Sequence, residues 1–103
     1  MSVEQLSSII GADWLQQAGP QHISQLVYDS RRISAPVQSV FFALRTNAAD
    51  GASYLSDAYK AGVRCFVVHA DFSEANTLPD AHVLAVADTL LALQQLARWQ
   101  REQ

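Results

Sequence analysis

Three stretches of the chain are apolar almost without interruption: SVFFAL (residues 39–44), VRCFVVHA (residues 63–70) and AHVLAVA (residues 81–87). Each has the length of a strand, and none alternates polar with apolar. Strands of that kind must be covered on both faces, which is the condition of a parallel sheet. Between the first two lies GASYLSDAYKA (residues 51–61), which reads as a helix with Leu55 and Ala58 on one face and Tyr54 and Tyr59 beside them. Asp50 is placed to cap its start and Gly62 to end it. Strand, helix and strand then form a βαβ unit, for which the right-handed crossover is the rule.

The flanking segments extend this unit. SVEQLSSII (residues 2–10) opens with a capping-box pattern, Ser2 with Gln5 three residues on, and puts Val3, Leu6 and Ile10 on one helical face. GADWLQQAGP (residues 11–20) reads as a second short helical turn stopped by Gly19-Pro20. HISQLVYD (residues 22–29) reads as a strand, RRISAPVQS (residues 31–39) as a loop broken by Pro36, and DFSEANTLPD (residues 71–80) as a polar loop. The chain closes on a helix, DTLLALQQLARWQREQ, with Asp88 as its cap. At 100° per residue, Leu90, Leu93, Leu96 and Ala97 share its inner face, while Leu91 and Trp99 fall off it and are available to a neighbouring domain. The expected fold is therefore a single α/β domain over residues 1–103: a small sheet of four to five strands, largely parallel or mixed, with helices packed on it.

Composition removes several function classes. Half of the 103 residues are apolar and 17% are charged, the profile of a globular chain. A net charge of −3 offers no basic footprint for nucleic acid. No apolar run approaches the roughly 20 residues of a membrane helix. No basic segment followed by an apolar core marks a signal peptide, and a cytoplasmic location is expected. Cys65 is the sole cysteine, so no internal disulfide can form, and its setting is that of a buried strand thiol. His22, His69 and His82 are not spaced with one another or with Cys65 as metal ligands, and the latter two read as hydrogen-bonded strand-end histidines. Neither a G-x-x-x-x-G-K-[ST] phosphate loop nor G-x-G-x-x-G nor G-x-S-x-G occurs. No catalytic residue is assigned.

Two polar clusters remain. One is Tyr28-Asp29-Ser30-Arg31-Arg32, directly after a strand; the other is Arg45-Thr46-Asn47-Ala48-Ala49-Asp50-Gly51, between a strand and a helix. Ligands of α/β sheets bind where loops leave the carboxyl ends of strands. A serine hydroxyl, a guanidinium and unpaired backbone N–H groups suit phosphate or uracil-type oxygens. The same residues also serve as ordinary turn chemistry: Asp29 and Asp50 as backbone caps, Ser30 as a turn hydroxyl, Arg31 as the partner of Asp29. Physical reasoning on the sequence leaves both readings open.

The order of motifs adds a resemblance. DSRR (residues 29–32), SVFFAL, NAADG (residues 47–51) and AGVRCFVV (residues 61–68) together resemble the N-terminal domain of the Mur ligases, over about residues 23–101. The nearest pattern is that of the branch adding D-alanyl-D-alanine to a UDP-N-acetylmuramoyl-tripeptide, and within it the version fused to alanine racemase. The resemblance implies that the chain binds the UDP-N-acetylmuramoyl-peptide of a peptidoglycan-precursor ligase. It assigns Tyr28, Asp29, Ser30 and Arg31 to one nucleotide-binding segment, and Thr46, Asn47, Ala48, Ala49, Asp50 and Gly51 to another. It implies no cofactor in this chain, ATP and Mg in an adjacent central domain of the same larger chain, and PLP only if a racemase is fused. No nucleic acid and no membrane insertion are expected. The sequence departs from the pattern at Gln38-Ser39, where the family has Gly-Asp, and at Thr46, where it has Gly. These departures favour the alternative of a non-catalytic interaction or regulatory domain whose nucleotide site has decayed.

Overall fold

The computed structural model describes residues 1–28, 33, 35–44, 54–72 and 78–102. Its elements run α1 (Val3–Ile10), β1 (Asp13–Gln16), β2 (Gln25–Val27), a 3-10 turn (Pro36–Gln38), β3 (Ser39–Phe42), α2 (Leu55–Ala61), β4 (Cys65–His69), β5 (His82–Val86) and α3 (Thr89–Arg101). The five strands form one sheet in the order β1-β5-β4-β3-β2. β2, β3, β4 and β5 are mutually parallel, and β1 joins β5 antiparallel. The mixed sheet of five strands with helices packed on it is the architecture expected from the sequence.

Alternation along the buried strands divides the core into two layers. Val40 and Phe42, Cys65 and Val67, and Leu84 and Val86 face one side, where they meet Val3, Leu6 and Ile10 of α1 and Ala92 and Leu96 of α3. Phe41, Phe66, Val68, Val83 and Ala85 face the other, under Leu55 and Ala58 of α2. Ile33, Phe72 and Leu78, from the β2–β3 and β4–β5 connections, pack on this second side as well. Successive parallel strands thus step one way across the sheet, with the described apolar residues of their links on one face. All three crossovers share one hand, as the right-handed rule for parallel connections demands.

Local chemistry explains where the helices start and stop. At α1, the Gln5 N–H donates to Ser2 Oγ (3.1 Å), and Gly11 ends the helix at φ +62°. At α3, the Leu91 N–H donates to Asp88 Oδ1 (3.0 Å), so both predicted caps are in place. α2 is shorter than expected. It is capped by Tyr54 with no side-chain bond, not by Asp50, which lies outside the described residues and four positions before that cap. Gly62 closes α2 at φ +112°, and a Cβ there would stand 3.2 Å from Pro36 Cβ. Gly62→Ala therefore meets both left-handed strain and a side chain fixed in a ring. A loss of about 1–3 kcal/mol is expected, read as a lower midpoint in urea unfolding; an unchanged midpoint would show that the turn relaxes freely.

Two further elements differ from the sequence reading. Residues 13–16 are not helical but form edge strand β1, pairing Asp13 with Ala85 and Trp14 with Leu84. Tertiary partners outweigh local preference here. The Gln16 side chain donates to the Leu78 and Ala81 carbonyls (2.7 and 2.9 Å), and the Trp14 ring meets His82 edge-on at 5.7 Å. His82 is fully buried, as a hydrogen-bonded strand-end histidine: Nδ1 accepts the Ala18 N–H (3.2 Å) and Nε2 donates to the Gly19 carbonyl (2.7 Å). On α3, the inner face is Thr89, Ala92 and Leu96, with Leu93 and Trp99 packed at its margin. Leu90 is exposed, not buried, and Leu91 is exposed as expected. Trp99 rests against this domain's own core, which removes the reason to assign it to a surface for a neighbouring domain. Small residues at 89 and 92 let the helix lie close to the sheet, so the face is set by fit rather than by the largest side chains.

Candidate functional site

The parallel register fixes which chain segments emerge together. Val27 is level with Phe41, Phe42 with Val67, and His69 with Val86. Tyr28, Leu44, Ala70 and Ala87 therefore all leave the sheet at its carboxyl edge, where α/β proteins bind ligands. Both polar clusters singled out from the sequence begin here. The chain leaves β2 into residues 29–32 and leaves β3 into residues 45–53, and these two strands are immediate neighbours.

Among the sequence-predicted site residues, Tyr28 is described: it stands at the exit of β2 with 61% of its surface exposed. Asp29, Ser30, Arg31, Thr46, Asn47, Ala48, Ala49, Asp50 and Gly51 lie outside the described residues. The exits of their flanking strands are adjacent, and that adjacency is the geometry available for a shared site.

The departures at Gln38-Ser39 fall at the opposite edge. They open β3, so the length of the strand separates them from the exit. Both are engaged in holding the fold. Ser39 Oγ donates to the Ala35 carbonyl (2.7 Å), closing the 3-10 turn, and Ser24 Oγ donates to Gln38 Oε1 (2.7 Å), tying the start of β2 to the start of β3. The sequence argument that these two positions loosen the nucleotide site is corrected by this placement. Thr46 lies outside the described residues.

One further feature occupies the carboxyl edge. At the ends of β4 and β5 lies a pocket of about 210 Å³ lined by His69, Ala87, Asp88 and Thr89. His69 Nδ1 stands 3.1 Å from Asp71 Oδ1 and 3.3 Å from the Asp71 amide nitrogen. In the tautomer that carries the proton on Nδ1, this nitrogen donates to the Asp71 carboxylate; in the other tautomer it accepts the Asp71 N–H. Sequence reasoning set His69 aside as a strand-end histidine; its position at the carboxyl end of a parallel strand is the signal that distinguishes it from His82, at the other end. Among the described residues no group of three or more His, Cys, Asp or Glu side chains could hold a metal ion. The Cys65 thiol is walled into the core, and burial pushes its pKa up to about 12, far from the state of a nucleophile. No described helix is long and apolar enough to cross a membrane.

Comparison with known proteins sets this geometry in a family. Among solved structures, the chain is similar to the UDP-N-acetylmuramoylalanyl-D-glutamyl-2,6-diaminopimelate–D-alanyl-D-alanyl ligase from Acinetobacter baumannii, at 27% identity and a TM-score of 0.76, over 96% of this chain and 21% of that one. It is similar also to two crystal structures of MurF from Acinetobacter baumannii, at 27% identity, TM-scores of 0.77 and 0.76, and coverage of 96% of this chain and 20% of each. The chain thus spans about a fifth of the length of these relatives. No curated protein matches it. The sequence model described as "Mur ligase family, catalytic domain" matches residues 22–101, most of the chain, and on that match the protein belongs to the Mur ligase family.

Proposed function

We propose that this domain holds the UDP-N-acetylmuramoyl-peptide substrate of a peptidoglycan-precursor ligase. The observation that carries the reading is the pair of adjacent parallel strands, β2 and β3, that send residues 29–32 and 45–53 out of one sheet edge in a member of the Mur ligase family. Ser30 and Arg31 supply donors for phosphate or uracil oxygens. Asn47 to Gly51 supply backbone and amide groups from the neighbouring exit. The domain contributes position, which converts an encounter between large reactants into a reaction of held groups.

The finer assignment follows the MurF-like relatives: in the whole enzyme, D-alanyl-D-alanine is added to the tripeptide of the substrate in an ATP-dependent step. The acyl phosphate formed from the peptide's terminal carboxylate would be attacked by the incoming amine, with ATP and Mg held by an adjacent domain. A PLP-bearing racemase partner belongs to this proposal only in its fused version. The competing reading, an interaction or regulatory domain that has lost the nucleotide, rests now on Thr46 alone, since Gln38-Ser39 sit at the far edge.

Titration calorimetry of the 103-residue protein with UDP-N-acetylmuramoyl-tripeptide separates the two. Saturable binding is expected, and Ser30→Ala should weaken it by about 0.5–1.5 kcal/mol, the net worth of one hydrogen bond. Binding that ignores Ser30→Ala would return Ser30 to the role of a turn hydroxyl. No binding at all would favour the regulatory reading.

A further inference from the structure

β1 and β2 stand at opposite edges of the sheet, so the chain between them runs as a strap along the amino edge. The far end of the strap is tied to its own neighbours. Gln21 Nε2 donates to the Val37 carbonyl (2.9 Å), and the Ser24 N–H donates to the Gln38 carbonyl (2.9 Å). The Ile23 N–H donates to the Met1 carbonyl (2.7 Å), and the Met1 ammonium donates to the Ile23 carbonyl (2.8 Å). The middle of the strap is held by one side chain. His82, the first residue of β5, accepts the Ala18 N–H at Nδ1 (3.2 Å) and donates to the Gly19 carbonyl from Nε2 (2.7 Å). Only the neutral ring with its proton on Nε2 makes both bonds at once.

We propose that His82 is an acid-released latch: a proton added to Nδ1 frees residues 17–20 and edge strand β1 from the amino edge, while β2 to β5 stay folded.

A protonated Nδ1 is a donor facing the Ala18 N–H, itself a donor, so that bond is lost. The surroundings supply nothing to pair with the new charge. Cys65 of β4 is level with His82 and is a neutral thiol. The Arg64 guanidinium is turned onto the Tyr59 ring (3.8 Å). Trp14 is the ring neighbour on β1, and Asp13 on the same strand is exposed. Asp80, before β5, and His22, beyond the strap, are exposed too. α1 and α3 turn apolar side chains to this layer, and their charged residues Glu4, Arg98, Arg101 and Glu102 are exposed. A buried imidazolium without a partner is costly, so the charged ring must reach water. The strap is the thinnest cover over it, because Gly19 and Pro20 are already at the surface. β1 is the weakest strand to detach, with three paired positions and a register shift between Trp14 and Gln16. The ties of Gln21, Ile23 and Ser24 do not involve His82, so β2 keeps its place when the latch opens. The closed latch holds no proton on Nδ1 and the open one does. Closure is therefore complete at alkaline pH, and opening grows toward acid by up to about tenfold per pH unit.

Nuclear magnetic resonance on the 103-residue protein tests the latch. At about pH 7.5 the His82 ring-nitrogen shifts should report a bare Nδ1 and a protonated Nε2. From there to about pH 5, the protection factor of the Ala18 amide against hydrogen exchange should fall by up to about tenfold per pH unit. That of the Ala43 amide, bonded to the Val67 carbonyl within the parallel sheet (2.9 Å), should hold level. In His82→Asn, an amide oxygen replaces the accepting nitrogen and does not titrate, so Ala18 protection should no longer depend on pH. The wild-type measurements decide the matter even where that variant fails to fold. A proton on Nδ1 at pH 7.5, or Ala18 protection that ignores pH in the wild type, overturns the latch. Ala18 and Ala43 losing protection together overturns it as well, since acid would then unfold the whole domain rather than release its strap.

Discussion

Phe66→Ala is expected to cost about 3–5 kcal/mol, the range for removing a buried phenylalanine. Phe66 is fully buried at the centre of the α2-side core. Its ring meets Phe41 edge-on at 6.4 Å and stacks on Tyr59 at 6.5 Å. Tyr59 is fixed in turn. Its hydroxyl donates to the Pro79 carbonyl (2.8 Å), and the Arg64 guanidinium lies over its ring at 3.8 Å while donating to the Tyr59 and Val63 carbonyls. A neighbour held on three sides cannot collapse into the space left by a lost ring, so the cavity term stays close to full size. A domain of this length has about 5–15 kcal/mol in all, so the variant should unfold at a far lower urea concentration or be unfolded at 37 °C. The same layer carries Val27 of β2 and Phe41 of β3, the strands whose exits frame the candidate site, and ligand binding should be lost with the fold. A loss under 1 kcal/mol would mean that α2 and the β4–β5 connection close over the gap, and that this layer is softer than its packing indicates.

What could be read from the sequence follows from where each signal originates. SVFF, CFVVH and HVLAV were legible as parallel strands because both faces are buried and apolar residues stand at almost every position. Ser2 and Asp88 were legible because a cap is local chemistry, set by a side chain and an amide three residues away. β1 was not legible. Asp13, Trp14 and Leu15 are all exposed, so no burial pattern marks the strand, and its existence depends on β5, some seventy residues on. The inner face of α3 was misread for a related reason. Leu90 and Ala97 satisfy an angular rule, but close approach to the sheet selects Thr89 and Ala92. The candidate site divides the same way. That residues 29–32 and 45–53 follow strands and leave the sheet at one end could be read directly; that those strands are immediate neighbours required the sheet order. The far-edge position of Gln38-Ser39 also required the register.

Cys65 supplies the second large effect, in the alkaline range. The thiol is enclosed between the α1–α3 layer and the sheet, and removal from water raises its pKa from 9.0 to about 12. The neutral thiol is the buried form. In the unfolded chain the thiol ionises near its ordinary value, so between pH 9 and about 12 the unfolded state holds fewer protons than the folded one. Stability is then fully present below pH 9 and falls as pH rises, by up to about 1.4 kcal/mol per pH unit across that window. A wild-type profile sums every proton uptake and release in that range, so it does not by itself isolate the thiol. Cys65→Ala does: it costs about 1 kcal/mol of packing at neutral pH, and it removes the alkaline term. The difference in unfolding free energy between the two proteins, measured in urea from pH 8 to 11, should be level up to pH 9. Above that it should shift steadily in favour of the variant, which overtakes the wild type before pH 11. Over the same range, a thiol reagent should modify wild-type Cys65 only at the rate at which the protein unfolds, since the folded thiol is both protonated and enclosed. Parallel pH profiles for the two proteins, or rapid modification of the folded chain, would show that the β4 layer opens to water on its α1–α3 side. The core that positions the four parallel strand exits would then be looser than the register of β4 on β5 implies.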